Sequence, residues 1–247
     1  MHHCLRLQAT LEANFVGKKG AVMATTLHRN KIIIIQVSGI VAVGKTYVMR
    51  EILAKDHALE RALGHKVVFV YEPVEFWKSM GWLDAFYANQ KAKRLPFQLL
   101  ALMTTTQNSM THVEEDHGDT TVFICERGLH DQPLFWMANT TEEERSDPTF
   151  LEEDAYQAAW DLQHSLMPKT NGVIYVKNAD AEEVWQRQKS RDGLRDDIEV
   201  SMKAYQYKLK ALHEAQYTTP TCLPSSKAAD VVPCIHIQSN DDHIVET

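Results

Sequence analysis

The stretch Lys31-Ile-Ile-Ile-Ile-Gln-Val-Ser-Gly-Ile-Val-Ala-Val-Gly-Lys-Thr46 narrows the choice of folds more than any other in this 247-residue chain. Its continuous β-branched run is the mark of a parallel strand buried on both faces. The run leads directly into Gly39-Ile40-Val41-Ala42-Val43-Gly44-Lys45-Thr46, which satisfies G-x-x-x-x-G-K-[ST]. Behind it, Tyr47–Leu63 has helical spacing. Strand, glycine loop and helix in that order make a phosphate cradle, because the glycines let backbone N–H groups turn inward and the helix adds its positive end. Lys45 would reach the β- and γ-phosphates of a nucleotide, and the Thr46 hydroxyl would hold Mg²⁺. A chance Gly-Lys turn capping a helix is the competing explanation. Ala42 is bulky for such a loop, and a positive φ there would cost about 1 kcal/mol or more.

Four further runs read as buried strands: Val67–Tyr71, Thr121–Cys125, Val173–Lys177 and Cys234–Ile237. Between them Phe97–Val113, Leu151–Leu166 and Ala181–Gln216 carry helical spacing. Strands alternating with helices predict an α/β fold with a doubly wound, five-stranded parallel sheet. Ligands of such sheets bind at the carboxyl ends of the strands. Chemistry-bearing residues gather there: Gly39–Thr46 after the first run, Glu72-Pro-Val-Glu-Phe-Trp77 after the second and Glu126-Arg127 after the third.

Composition removes several classes of function. With 44% hydrophobic and 24% charged residues the chain is ordinary globular protein, and its formal charge of -7 disfavours a protein that tracks a nucleic-acid polymer. No apolar stretch reaches the roughly 20 residues that cross a bilayer, so no membrane partner is expected. Cys4, Cys125, Cys222 and Cys234 lack metal-site spacing and fit a reducing, cytoplasmic compartment. Residues 31–240 are read as one domain. Residues 1–30 carry Arg6, Lys18, Lys19 and Arg29 against the single acid Glu12, which suits a disordered extension better than a mitochondrial transit peptide, the alternative.

Glu72 ends the second strand beside a proline that stops the ladder, where a carboxylate could take the proton of an attacking hydroxyl. A plain strand-ending acid is the bland alternative. The motifs in order, G-I-V-A-V-G-K-T, E-P-V-E-F-W, Y-A-N-Q with L-P-F-Q, I-C-E-R and R-Q-K-S-R-D-G-L-R-D-D, resemble the deoxyribonucleoside kinase family, which includes cellular deoxynucleoside kinases and herpesvirus thymidine kinases. The resemblance spans roughly residues 30 to 240.

It implies an ATP- and Mg²⁺-dependent kinase acting on the 5′-hydroxyl of a deoxynucleoside, commonly as a homodimer packed through helices. Glu72 would be the general base, Arg127 would steady it, Glu126 would sit near Mg²⁺ and Trp77 would line the nucleoside cleft. Tyr87 is similar to the tyrosine that meets the sugar 3′-hydroxyl, and Gln98 to the glutamine that reads the base. Gln107 resembles the herpesvirus version of that position. Nine residues turn a helix by about 900°, so the two glutamines face opposite sides, and the spacing from Tyr87 favours Gln98. The resemblance also implies a lid in which Arg187 and Arg191, with Arg195 behind them, meet the phosphates, and Asp196 takes the place of a sugar-binding glutamate.

The chain departs from the family pattern at Gly128-Leu-His-Asp-Gln-Pro133, where Gln132 replaces an Asp or Ala and Pro133 an arginine. Thr105 stands where cytidine- and purine-accepting relatives often carry arginine, and Ala101 is small, which leans toward thymidine and deoxyuridine. A thymidylate kinase and a catalytically silent nucleotide-binding module are the alternatives. The first needs extra basic residues for its acceptor phosphate, which Glu72 would repel.

Overall fold

The computed structural model describes residues 32–114, 120–178, 180–193, 196–217, 232–239 and 244–246. The N-terminal extension, Cys4, Cys222 and Arg195 lie outside the described residues.

The sheet has the strand order β2-β3-β1-β4-β5-β6, with β1 (Ile32–Ser38), β2 (Lys66–Val70), β3 (Thr121–Glu126), β4 (Thr170–Lys177), β5 (Cys234–Ser239) and β6 (Ile244–Glu246). The first five strands are parallel, as their runs of apolar residues predict. β6 adds an antiparallel sixth, pairing Ile237 with Glu246. At three residues it is too short to show a periodicity, and it lies past residue 240.

From β1 the chain passes to one side for β2 and β3 and to the other for β4 and β5. A crevice therefore opens above the carboxyl end of β1, flanked by β3 and β4. Successive β1 side chains point to opposite faces, and both faces are covered. Ile33, Ile35 and Val37 join the main core, while Ile34 packs with Val70, Phe123 and Cys125 on the other face. Cys125 is a free thiol whose pKa burial pushes up to about 12, so it serves as an apolar residue.

The helices are more broken than the sequence suggests. Tyr47–Leu63 reads as one helix but comprises α1 (Lys45–Tyr47), a π-helical stretch (Val48–Leu53), a 3₁₀ turn (Lys55–His57) and α2 (Ala58–Leu63). His57, in the left-handed region at φ 51°, makes the last break. α3 (Val74–Ser79) and α4 (Trp82–Ala88) follow β2, and α5 (Gln90–Glu114) begins well before Phe97, running through Pro96. After β3 come α6 (Gln132–Asn139), α7 (Glu142–Ser146) and α8 (Leu151–Leu166). Ala181–Gln216 divides into α9 (Ala181–Asp192) and α10 (Asp196–Tyr217), because Gly193 takes φ 60° and ends α9. None of these described helices is long and apolar enough to cross a membrane.

Asp180 caps α9, its Oδ1 accepting from the N–H groups of Glu182 at 2.9 Å and Glu183 at 3.0 Å. Removing such a cap costs about 1 kcal/mol. Asp180→Ala is therefore expected to lower stability by about that much in denaturant unfolding, and an unchanged midpoint would refute the cap's role.

Candidate active site

The glycine loop leaves β1 with Gly39, Ala42 and Gly44 at φ 144°, 62° and 104°. Gly39 is obligatory for a second reason: a Cβ there would lie 2.4 Å from the Val176 carbonyl oxygen of β4. Ala42 carries the strain its sequence position raised, since a left-handed alanine is unfavourable. The Lys45 ammonium is buried and donates to the Ile40 carbonyl at 2.9 Å, curling over the loop. Burial first, and the charge of Arg127 second, lower its pKa from 10.5 to about 7, against the pull of Glu126, Glu72 and Asp131.

Around the loop the neighbouring strand ends supply charge. Thr46 Oγ1 donates to Glu126 Oε1 at 2.7 Å, placing a hydroxyl and a carboxylate together as an oxygen donor set that suits Mg²⁺. Arg127 follows Glu126 with φ 59°, a backbone state that turns its side chain back under the loop. Its Nη1 donates to the Gly39 carbonyl at 2.9 Å, and its guanidinium lies 4.3 Å from the centroid of the Phe135 ring. Glu72 Oε1 stands 2.9 Å from Arg127 Nε as an ion pair, although the N–H does not point along a hydrogen bond.

Lys45, Thr46, Glu72, Glu126 and Arg127 all face one cavity of about 530 Å³. Its far wall is aromatic. Trp77 and Phe97 meet edge to face at 5.6 Å between centroids, and Phe86 stacks on Phe97 at 4.8 Å. Trp77 is fixed by its indole N–H, which donates to Thr104 Oγ1 at 2.9 Å. Gln98 is buried and lines this end with Ala101, whereas Gln107 is exposed on the opposite side of α5. Thr105 is buried away from the cavity.

Arg187 and Arg191 reach the cavity from α9. Arg187 pairs with Glu183, and Arg191 forms two hydrogen bonds to Asp192, at 2.7 and 2.8 Å. Asp192 Oδ2 also accepts from the Tyr87 hydroxyl at 3.3 Å. Asp196 opens α10, but its side chain lies outside the described residues. Of the loop positions, Ile40 and Val43 point into the core, while Val41, Ala42 and Gly44 line the cavity.

A family model described as Deoxynucleoside kinase matches residues 35–247. The chain belongs to the deoxynucleoside kinase family. No curated protein matches it. Membership implies a kinase with ATP as phosphate donor and a nucleoside as acceptor. In this deoxynucleoside kinase the site also contains residues that the motifs did not announce. Gln188, between Arg187 and Arg191 on α9, lines the cavity fully buried, with neither amide atom partnered among the described residues. Its position beside Arg187 was the available signal, masked by the arginine spacing. Tyr205 lines the cavity from α10, where the helical pattern marks a core position.

The unusual Gly128–Pro133 segment has physical causes. A Cβ on Gly128 would collide with the amide end of the Gln36 side chain, so any larger residue there would have to displace Gln36. Pro133 sits in the first turn of α6, where a missing N–H costs nothing. Gln132 is buried and lines the cavity.

Lys45 makes the stability of the ligand-free protein depend on pH. Its folded pKa is depressed, so between about 7 and 10.5 the unfolded chain binds more protons and stability rises with pH. Lys45→Met is expected to be most stabilising below pH 7, with an advantage that shrinks toward pH 10.5. A pH-independent difference in unfolding free energy between the two proteins would refute the depressed pKa.

Proposed function

We propose that the protein transfers the γ-phosphoryl group of ATP to the 5′-hydroxyl of a pyrimidine deoxynucleoside, thymidine first, within nucleotide salvage. The observation that supports it is the opening of Lys45 and Glu72 into the same cavity, from the ends of two different strands. In this reading residues 31–240 carry the machinery and residues 1–30 are a dispensable extension of a cytoplasmic enzyme.

The loop Gly39–Thr46 cradles the donor phosphates, and Lys45 holds its proton more tightly when those oxygens arrive. Thr46 and Glu126 hold Mg²⁺, which when bound screens the phosphate charge. Glu72 takes the hydroxyl proton as the acceptor oxygen bonds to the γ-phosphorus and the bond from that phosphorus to the β–γ bridging oxygen breaks, releasing ADP. Arg127 keeps the Glu72 carboxylate aimed until then. Arg187 and Arg191 exchange their carboxylate partners for the oxygens of the transferring group.

Gln98 reads the base through its paired donor and acceptor, against Trp77 and Phe97. Tyr87 takes the sugar 3′-hydroxyl, with a carboxylate from Asp192, its hydrogen-bond partner, or from Asp196. The thymidine preference is supported by α5, which offers Ala101 and no arginine to the cavity.

Purified protein with ATP, Mg²⁺, each of the four deoxynucleosides and thymidine monophosphate tests the reading. Thymidine is expected to be phosphorylated fastest, and turnover of the monophosphate alone would overturn it. Glu72→Gln is expected to lose about 100-fold or more in kcat while ATP still binds. Unchanged turnover would remove Glu72 as the base.

A homodimer is part of the proposal. Leu162 and Leu166 on α8 are exposed, as is Met103 on the neighbouring α5, an apolar surface that suits a second copy. Leu162→Glu should yield a monomer by sedimentation, and a wild-type protein that is itself monomeric would refute the dimer.

A further inference from the structure

Asp131 is a carboxylate with no exposure at all, placed behind the cavity and outside its lining. Its Oδ1 accepts from the Tyr217 hydroxyl at 2.6 Å, and its Oδ2 stands 3.9 Å from Arg127 Nη1 with no hydrogen-bond partner among the described residues. Tyr217 is itself held by Gln36 and Ser38, each at 3.3 Å. A buried charge is kept only where an opposite charge compensates it. Here the compensating group is Arg127, which thus has Glu72 at 2.9 Å on one side and Asp131 on the other.

That double pairing has a consequence for proton transfer. When Glu72 takes a proton it ceases to balance Arg127, and a buried guanidinium with a single partner would resist the change. A second, permanently anchored carboxylate keeps the guanidinium balanced throughout. We propose that Asp131 is a positioning residue: as the standing counter-charge of Arg127, it leaves Glu72 free to exchange charge for the substrate proton. The proposal rests on Glu72 being the base.

Several groups face this pair. Lys45 comes from the loop, Glu126 from β3, Arg191 from α9, and Tyr205, His213 and Tyr217 from α10. Burial holds His213 near 3 and raises both tyrosines, so none of these three titrates between pH 5 and 9. Burial pushes Asp131 itself up, opposed by the charge of Arg127 and by the hydroxyls of Tyr217 and Ser38. Lys45, lowered to about 7, does titrate there until phosphate oxygens bind it, so kcat is compared at saturating ATP, where its acid limb reports Glu72. Losing the Asp131 charge would tighten the remaining ion pair and make Glu72 a weaker base.

Asp131→Asn, which keeps an acceptor for Tyr217, is compared with wild type in kcat, nucleoside KM and the pH profile of kcat. The expectation is a kcat lower by about tenfold, a KM within about twofold, and an acid limb moved down by about half a pH unit or more. Asp131→Glu should restore the limb. A wild-type profile, or a loss of rate with the limb unmoved, would overturn the proposal.

Tyr217→Phe, which keeps the charge and frees the carboxylate, covers the case in which Asp131→Asn does not fold. It should lower kcat severalfold at unchanged KM, and an unaltered kcat would overturn the proposal. Glu72→Gln separates the two ideas. If it turns over normally the base assignment fails, whereas if it is inactive and Asp131→Asn is silent only the role of Asp131 fails.

Discussion

The site is organised around one buried cation. Arg127 is bound through its backbone N–H to Val37 of β1 at 3.0 Å and through its guanidinium to the carbonyl of Gly39, while its charge meets Glu72 from β2 and Asp131 from the turn before α6. Three strand ends are thus tied to one side chain. The arrangement depends on Arg127 adopting φ 59°, which a non-glycine residue avoids unless its surroundings over-determine it. The surroundings do: the Phe135 ring on the guanidinium and two carboxylates beside it offset the strain of a left-handed arginine.

The same crowding governs Lys45. Two cations buried within one cradle repel each other, and desolvation adds to the repulsion, so the lysine's proton is weakly held while the cradle has no anion. Phosphate oxygens would reverse that balance. The two arginines of α9 follow a similar principle from the other side. Arg187 and Arg191 lie at the cavity paired to Glu183 and Asp192, so their charges are satisfied on α9 and become available only by exchange of partners. Charge at this site is stored in ion pairs that a nucleotide can compete for, which suits a reaction governed mainly by positioning and charge compensation.

Much of this was legible in the residues. The five parallel strands appear as continuous β-branched runs because both faces of the sheet are covered, and the three strand-end motifs mark the carboxyl edge for the same topological reason. The helices were read less well. Apolar spacing does not reveal that His57 turns left-handed or that α5 runs through Pro96, since both are decided by packing. Helical geometry says that Gln98 and Gln107 face opposite sides, and the spacing from Tyr87 chose between them, whereas Asp131 had no such signal. Its neighbours Arg127, Ser38 and Tyr217 come from distant parts of the chain, and nothing in Leu129-His-Asp-Gln distinguishes a buried acid from an exposed turn residue.

α10 explains how such distant parts act together. From its first half Tyr205 lines the cavity and Gln206 donates to the Val41 carbonyl of the glycine loop at 2.7 Å. Two residues on, Lys208 donates to the Thr140 carbonyl at the end of α6 at 2.6 Å. At its last residue Tyr217 reaches Asp131, and the Tyr217 carbonyl accepts from His236 of β5 at 2.7 Å. One rigid helix thus touches the glycine loop, the cavity wall and the Asp131 carboxylate beside Arg127. Any displacement of α10 would move the glycine loop and the Arg127 network in concert, so the two sides of the cavity are set by a common element and not adjusted separately.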